Sequence, residues 1–449
     1  MKRLLSITSL LCVLALATYS QAQTTDPYFS PTDRDQYASP MPVDPSQGGF
    51  NAFGANDARS QYESIYRSIW AMIGNMYYQP EKLANWAEWE HKFDGKIKSD
   101  DELDLAIQQM VESLGDQWTR YVTRLERIRV TQEQRAGLLG LGVQVKKDEN
   151  GAFYIDYIEW GSAAHNSELR RGDNIIAVGA TALAGKSVKE ANELLKGEVD
   201  TTVDITYAMN NGQKRTAKLA VAFTADQEVI AQVADNNLLY LRLPDFENRR
   251  RTAEFLNAIK GVGEKMQGAP VKGVILDLRG NPGGEITESL VVASIFLKDG
   301  VIVTSKTRSG RVYSKQTYEV VPPLAFSMND AVDGSKDFID SLLEAPMVVL
   351  TDENTASAAE IVTGALKDNK RATIIGKTTY GKGVGYATST GPTGGVVTIT
   401  GLEYLTPSGY NLARKGINPD IESDHPRGEV KDVQLLKAIE FLSNKDNNK

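Results

Sequence analysis

From residue 62 onward the apolar positions fall at helical spacing. Ile65, Ile69, Met72, Ile73 and Met76 share one face. "SDDELDLAIQQMVESLG" follows, with Ser99 and Glu102 as a start signal, Gly115 as a stop, and Leu103, Ile107, Met110 and Leu114 as its stripe. The spacing predicts a helical region over 61–131. The period then changes. "GLLGLGVQV" (137–145), "AFYIDYIEW" and "LRRGDNIIAVGATAL" read as glycine-punctuated strands, "SVKEANELLKG" as a helix, and "TTVDITYAM" as a strand with Val203, Ile205 and Tyr207 on one face. From 236 to 424 apolar strands alternate with helices. "VKGVILDLR" (271–279) turns through "GNPGG" into "EITESLVVASIFL", "APMVVLTD" (345–352) turns into a helix starting near Ser357, and "RATIIG" is a further buried strand. Repeated strand, turn and helix predict an α/β core. The tail, 425–449, holds a last amphipathic helix, "EVKDVQLLKAIEFL" (429–442).

The first 60 residues lack this patterning. Lys2 and Arg3, the run "LLSITSLLCVLALA" and the small-x-small Ser20-Gln21-Ala22 read as a secretory signal over 1–22, with cleavage before Gln23. A run of about 14 apolar residues is short of the roughly 20 that span a bilayer, so no stable membrane span is expected there. Residues 23–60, rich in Pro, Asp, Gln, Ser and Gly, read as a linker or loose arm. The only cysteine, Cys12, lies inside the apolar run behind Leu11, where a lipid-attachment site would want a small residue. A processed chain then has no thiol for a cysteine enzyme, a thiolate metal site or a disulfide. Export places the protein in the periplasm or outside the cell. A formal charge of −8 argues against nucleic acid as a partner, since phosphate neutralisation needs surplus Lys and Arg.

Several motifs with chemistry fail on spacing. "GKT" (376–378) has Arg371 where a phosphate loop needs glycine, and Gly137, Gly140 and Gly142 are mis-spaced for a dinucleotide fingerprint. The three histidines, His91, His165 and His425, form no H-E-x-x-H pattern, and no G-x-S-x-G elbow is present. A Ser-His-Asp triad would have to recruit one of them across the fold. What remains is "DENTASAAEIVTG" (352–364). Ser357 with Glu360 three residues on is a capping signal, and a serine at a helix start also has free N–H groups and a macrodipole beside it to stabilise an oxyanion. "GNPGG" supplies a backbone poor in side chains. With histidine set aside, the base left is a lysine made neutral by burial, and Lys382 in "TTYGKGVGY" stands among glycines away from any run of charge.

Two resemblances organise these pieces. The β-rich block, 132–225, resembles a bacterial PDZ domain through "LRRGDNIIAVG" and the following helix. Such domains hold a peptide C-terminus on loop N–H groups and pair it as a strand. "GLLGLGV" takes that loop's place here: Gly137, Leu138, Leu139, Gly140, Leu141 and Gly142. Residues 236–424, with "DLRGNPGG", "TASAAEIVTGALKD", "RATIIGKTTYGKG" and "YLTPSGYNLARKGINPDI", resemble the C-terminal processing peptidases, also called tail-specific proteases. The resemblance implies a multidomain α/β protein: a helical N-terminal region, a PDZ domain and a crotonase-like α/β peptidase core. It implies a Ser357/Lys382 dyad, oxyanion donors at Gly283 or Gly284 and at Ala358, and supporting roles for Asp368, Glu360 and Thr379. It implies no metal or cofactor. The partners it implies are protein or peptide substrates with an exposed C-terminus, and an adaptor protein besides. Where many relatives carry a lysine-orienting glutamine, this chain has Tyr386. The segment 313–338 is longer than the family minimum and reads as a lid. Two other readings stand beside the peptidase: a non-catalytic PDZ-containing scaffold, for which Tyr386 speaks, and an exported hydrolase of small esters.

Overall fold

The computed structural model describes residues 58–135, 138–159, 162–209, 211–221, 228–267, 269–321, 335–424 and 432–446. Residues 1–57, which hold the expected signal with Cys12 and most of the expected arm, together with Gly137 and His425, lie outside the described residues. The chain forms two compact units. One combines the N-terminal part through Thr131 with 305–316 and 384–404, and the other holds 132–304, 317–383 and 405–449.

In the first unit the expected stripes become the helices Ala58–Met76 and Asp100–Glu112, joined by Arg124–Arg135. Ile69, Ile73, Leu103, Ile107 and Met110 bury together with Val397 and Ile399. Ser99 accepts the Glu102 N–H at 3.3 Å while Glu102 accepts the Lys98 N–H at 2.6 Å, which fixes the second helix start. One element departs from the expected helical stretch. Arg120–Val122 is a strand, paired antiparallel with Val396–Thr398, because its partner lies far along the chain and local spacing carries no trace of it.

In the second unit the β-rich block is a sheet of β1 (Val143–Lys147), β2 (Phe153–Ile158), β3 (Asn174–Val178), β4 (Thr202–Ala208) and β5 (Lys214–Ala220), in that spatial order with antiparallel neighbours. Helix α1 (Val188–Leu194), opened by a Ser187/Glu190 capping box, packs against the edge strand β1. Val145, Ile155, Ile175, Ala191, Ile205 and Tyr207 form the core between them.

The α/β part is a six-stranded sheet. Its strands are β6 (Ile230–Ala234), β7 (Leu238–Arg242), β8 (Gly273–Asp277), β9 (Met347–Thr351), β10 (Thr373–Gly376) and β11 (Ile421–Glu422), in chain order across the sheet. Only β6–β7 is antiparallel; every later pair is parallel. Every residue of β8 and β9 is buried, as parallel strands covered on both faces require. The helices are α2 (Arg249–Met266), α3 (Ile286–Phe296), α4 (Ala358–Asp368) and α5 (Val433–Asp446). Helices α3 and α4 pack on each other, and α5 sends Ala438 and Leu442 into a core with Leu238, Ile275, Val348 and Ile375. Of the segment expected as a lid, residues through Glu319 belong to a strand, Val312–Glu319, and residues from Ser335 to a helix, Ser335–Glu344, while 322–334 lie outside the described residues.

Candidate active site

Three consecutive parallel strands, β8, β9 and β10, each release a loop at their carboxyl ends. In open α/β sheets this is the edge where ligands bind. The loop after β8 carries Gly283 and Gly284, the loop after β9 carries Ser357, and the loop after β10 carries Lys382. The sheet order alone therefore gathers three segments that are distant in sequence.

Ser357 occupies the N-cap position of α4 with φ 54° and ψ −117°, and its side chain makes no capping bond. The Glu360 N–H goes instead to the Ser357 main-chain carbonyl, at 2.8 Å. A non-glycine residue held at positive φ costs on the order of 1–3 kcal/mol and persists only where its surroundings over-determine it. Here they do, because Glu360 Oε2 accepts the Ser357 N–H at 2.9 Å. The bend leaves the half-buried Ser357 hydroxyl without a hydrogen bond among the described residues. The next amide, Ala358 N–H, is also unclaimed there.

Glu360 holds more than the serine. The same Oε2 accepts the Lys382 N–H at 2.8 Å, while Oε1 accepts the Gly381 N–H at 2.7 Å and the Thr379 hydroxyl at 2.5 Å. Thr379 is anchored in turn by the Ile417 N–H, at 2.8 Å on its Oγ1. Glu360 is fully buried. Burial pushes its pKa up, and the four hydrogen bonds from Thr379, Gly381, Ser357 and Lys382 pull back only part of that rise. One carboxylate thus fixes the backbones of Ser357 and Lys382 to a single point. Lys382 itself is half-buried in its loop.

The glycine loop closes against this point. A Cβ on Gly283, which has φ 100°, would stand 2.7 Å from Ser357 Cβ and 2.9 Å from Ala358 N, so only glycine permits the approach. The Gly283 N–H is committed to Asn281 Oδ1 at 2.9 Å, and the Gly283 carbonyl accepts the Phe246 N–H at 2.8 Å. In a planar trans peptide the N–H points opposite the carbonyl, so the Gly284 N–H turns away from Phe246. Among the described residues that amide has no acceptor, which makes Gly284 rather than Gly283 the available donor of the pair.

Asp368 does not join this group. It lies at the other end of α4, eleven residues and about 16 Å of helix rise from Ser357, and accepts the Ser408 N–H at 2.9 Å. Helix geometry is the reason, and the sequence count already contained it. Tyr386 belongs to the first unit, on a strand Val384–Thr390 that pairs antiparallel with Val396–Leu405, opposite Thr400 and beside a register shift. His91 pairs with Asp94 at 2.9 Å on the surface of the first unit, and neither it nor His165 is hydrogen-bonded to Ser357.

Sequence reasoning missed the struts between the loops. Asp352 Oδ1 accepts the Gly280 N–H at 2.9 Å and the Asn354 N–H at 3.0 Å. Asn281, fully buried, donates from Nδ2 to the Leu243 carbonyl at 2.9 Å, and its own carbonyl accepts the Ala356 N–H at 2.9 Å. Thr355 donates to the Leu278 carbonyl at 2.9 Å. The sequence signal was slight, an Asp three residues before a Thr and an Asn ahead of Pro-Gly-Gly, both of which read as turn residues.

The second sequence-predicted site, the loop before β1, is more occupied than its glycines suggested. Leu138–Gly140 is a strand paired with Lys196–Glu198, and the Leu141 N–H goes to the Leu195 carbonyl at 3.0 Å. Alternation along an antiparallel pair then turns the Gly140 N–H outward. Gly142, at φ 73°, has no main-chain acceptor for its N–H among the described residues. The pairing excludes Leu139 and Leu141 as donors and leaves Leu138, Gly140 and Gly142 among the described residues.

Comparison with known proteins follows this division. Residues 237–423 match the model of peptidase family S41, and residues 128–208 match the PDZ domain. The carboxy-terminal processing protease CtpA of Bacillus subtilis (strain 168) is 29% identical over 343 residues, covering 75% of this chain and 67% of that protein. A probable CtpA-like serine protease of Staphylococcus aureus (strain bovine RF122 / ET3-1) is 28% identical over 337 residues, covering 74% of this chain and 62% of its own length. The solved structure of a photosystem II D1 C-terminal processing protease superposes with a TM-score of 0.58 at 25% identity, covering 81% of this chain and 93% of that one.

Proposed function

Since the chain belongs to peptidase family S41 of serine peptidases and carries a PDZ domain, we propose that it is an exported endopeptidase in which Ser357 is the nucleophile, Lys382 the base, and substrates are recognised by their C-terminal tails. The observation that carries this reading is the shared carboxylate oxygen. Glu360 Oε2 holds the amides of Ser357 and Lys382 at 2.9 and 2.8 Å, and among the described residues the Ala358 N–H beside the serine hydroxyl has no acceptor.

In this mechanism neutral Lys382 Nζ takes the proton as Ser357 Oγ bonds to the scissile carbonyl carbon. The resulting oxyanion accepts hydrogen bonds from the Ala358 and Gly284 N–H groups. The tetrahedral intermediate collapses with loss of the amine, which leaves with the proton from Lys382. Water, deprotonated by the Lys382 amine, then attacks the acyl carbon, the acid leaves, and the Lys382 proton returns to Ser357 Oγ.

The released tail of a substrate would sit in the PDZ domain, its carboxylate on the Gly140 and Gly142 amides and its backbone along the free edge of β1. Export rests on the signal-like first 22 residues. No helix of the described residues is long and apolar enough to cross a membrane.

The test uses Ser357→Asn and Lys382→Arg in the full chain, with an unstructured polypeptide as substrate. Both variants fold, and both lose about a thousandfold or more in rate. Asparagine can still cap a helix but offers no hydroxyl, and arginine keeps its charge at every working pH. An active Ser357→Asn enzyme refutes the mechanism. An active Lys382→Arg enzyme moves the base elsewhere. N-terminal sequencing of exported protein, with Gln23 first, tests the signal.

A further inference from the structure

Arg279 is the last residue before the glycine loop, and it is gripped from two sides. Its Nε and Nη2 donate to Asp277 at 2.9 and 2.6 Å, and its Nη1 and Nη2 donate to the two oxygens of Asp432, both at 2.7 Å. Nη1 also donates to Gln434 Oε1 at 3.0 Å. Asp277, fully buried, accepts in addition the Arg279 N–H at 3.0 Å and the Tyr240 hydroxyl at 2.8 Å, with Arg242 at 3.4 Å. A planar guanidinium held bidentately by two carboxylates has its orientation fixed. Burial raises the Asp432 pKa, but the Arg279 hydrogen bond and charge outweigh it and hold the group below the usual carboxylate range.

Asp432, immediately ahead of α5, and Gln434, in its first turn, are not part of the sheet edge that carries the chemistry. Asp432 also accepts the Leu435 N–H at 3.0 Å, at the start of that helix, and Gln434 donates to the Ser423 carbonyl at 2.6 Å, just past β11. Along the glycine loop, Arg279 is thus fixed by α5, Gly280 by Asp352, and Gly283 by Asn281. We infer that Asp432 is a positioning residue for the oxyanion loop, acting through Arg279, so that the C-terminal helix sets the placement of the Gly284 donor relative to Ser357. The inference rests on the Ser357/Lys382 reading. Losing the α5 side of the grip leaves Arg279 attached to Asp277 alone, and the loop gains freedom at its root. A displacement of about 1 Å in a catalytic group can cost on the order of a hundredfold in rate.

Steady-state kinetics of the full chain on a quenched-fluorescent peptide with a free carboxylate test this. Asp432→Asn lowers kcat by roughly ten- to a hundredfold while KM changes less than about twofold, as expected of a residue that acts through Arg279 rather than on the substrate. Asp432→Glu, which keeps the charge, recovers a large part of that loss. Combining Asp432→Asn with Arg279→Lys costs little more than Arg279→Lys alone, as expected of two residues acting through one contact. Gln434→Leu, which removes only the neutral bond, lowers kcat by about threefold and serves where Asp432→Asn does not fold. Wild-type kcat in Asp432→Asn, or in Gln434→Leu where the former does not fold, overturns the proposal. So does a loss that tracks the unfolded fraction by circular dichroism. Ser357→Ala is run in the same assay. If it stays active, the underlying reading falls and this inference with it; if it is dead while Asp432→Asn keeps wild-type kcat, only this inference falls.

Discussion

Two regions of the second unit offer backbone N–H groups to an anion, and they are built differently. At the sheet edge the donors, Ala358 and Gly284, are framed by side chains that hold the surrounding backbone: Glu360 on Ser357, Gly381 and Lys382, Asn281 on Gly283, and Asp352 on Gly280. In the PDZ loop, Gly140 and Gly142 are framed by main chain alone, through the pairing with Lys196–Glu198 and the Leu141–Leu195 bond. An oxyanion exists only for the life of an intermediate, so its donors gain from being preorganised by buried acceptors. A peptide carboxylate arrives with a strand that must be paired, and a loop continuous with a strand edge suits that task. On the function proposed above, the same chemical group, an amide N–H, serves catalysis in one setting and capture in the other.

Glu360→Gln bears hardest on this contrast. Glutamine replaces one acceptor oxygen with an NH2 that faces N–H donors, so at least two charge-assisted hydrogen bonds are lost. At about 1.5–3 kcal/mol for each such bond, kcat/KM should fall a hundredfold or more, while peptide capture measured by calorimetry stays as in wild type. A parallel loss of capture would collapse the distinction between the two regions. Acid should mimic the substitution. The Glu360 carboxyl has its pKa raised by burial against the pull of its hydrogen bonds, so folding favours its protonated form. Lowering the pH through the folded value therefore costs activity but does not cost stability at this group. The acid limb of the rate profile should lie above the ~4.3 of a free glutamate and disappear in Glu360→Gln, measured on its residual rate.

Amidating the C-terminus of a peptide substrate is the complementary probe. It removes the charge from the captured group and leaves the scissile bond untouched. Capture should weaken about ten- to a hundredfold, the worth of one charge-assisted bond, with little change in kcat once the substrate saturates. Equal cleavage of acid and amide forms at low concentration would remove the PDZ loop from substrate recognition.

The smallest expected effect sharpens the picture of β1. Its outer edge is where a peptide would pair, yet the Val145 N–H already donates to Asn192 Oδ1 on α1 at 3.3 Å. A peptide must displace that bond. Asn192→Ala should tighten peptide binding by about two- to tenfold, the net value of one hydrogen bond. Weaker binding would mean that Asn192 contacts the ligand rather than competing with it.

The site was legible in the chain to a definite depth. Ser357 and Glu360 are three residues apart on a helix start, and that spacing alone predicts the reciprocal contact of the carboxylate with the Ser357 N–H, which is present at 2.9 Å. In the other direction, with Ser357 at a strained φ of 54°, the Glu360 N–H donates to the Ser357 main-chain carbonyl at 2.8 Å. Asp368 lies eleven residues along the same helix and accepts the Ser408 N–H, an offset the sequence count already contains. The struts Asp352, Asn281 (to Leu243 and Ala356) and Asp432 were not legible, since each acts on a segment brought near only by the sheet or by α5.

By itself the sequence determined the strand–turn–helix units, the buried runs of β8 and β9, the glycines that permit close approach, and the residue types available for acyl transfer. Those are properties of local period and side-chain chemistry, and they are set before the chain folds. Tertiary structure alone decided that three loops separated by tens of residues leave neighbouring parallel strands at one edge. It also decided that one buried carboxylate oxygen receives two of their amides, and that the last helix grips the root of the glycine loop. These follow from strand order and burial, where a carboxylate cut off from water must collect every donor within reach, and no local pattern encodes which donors those will be.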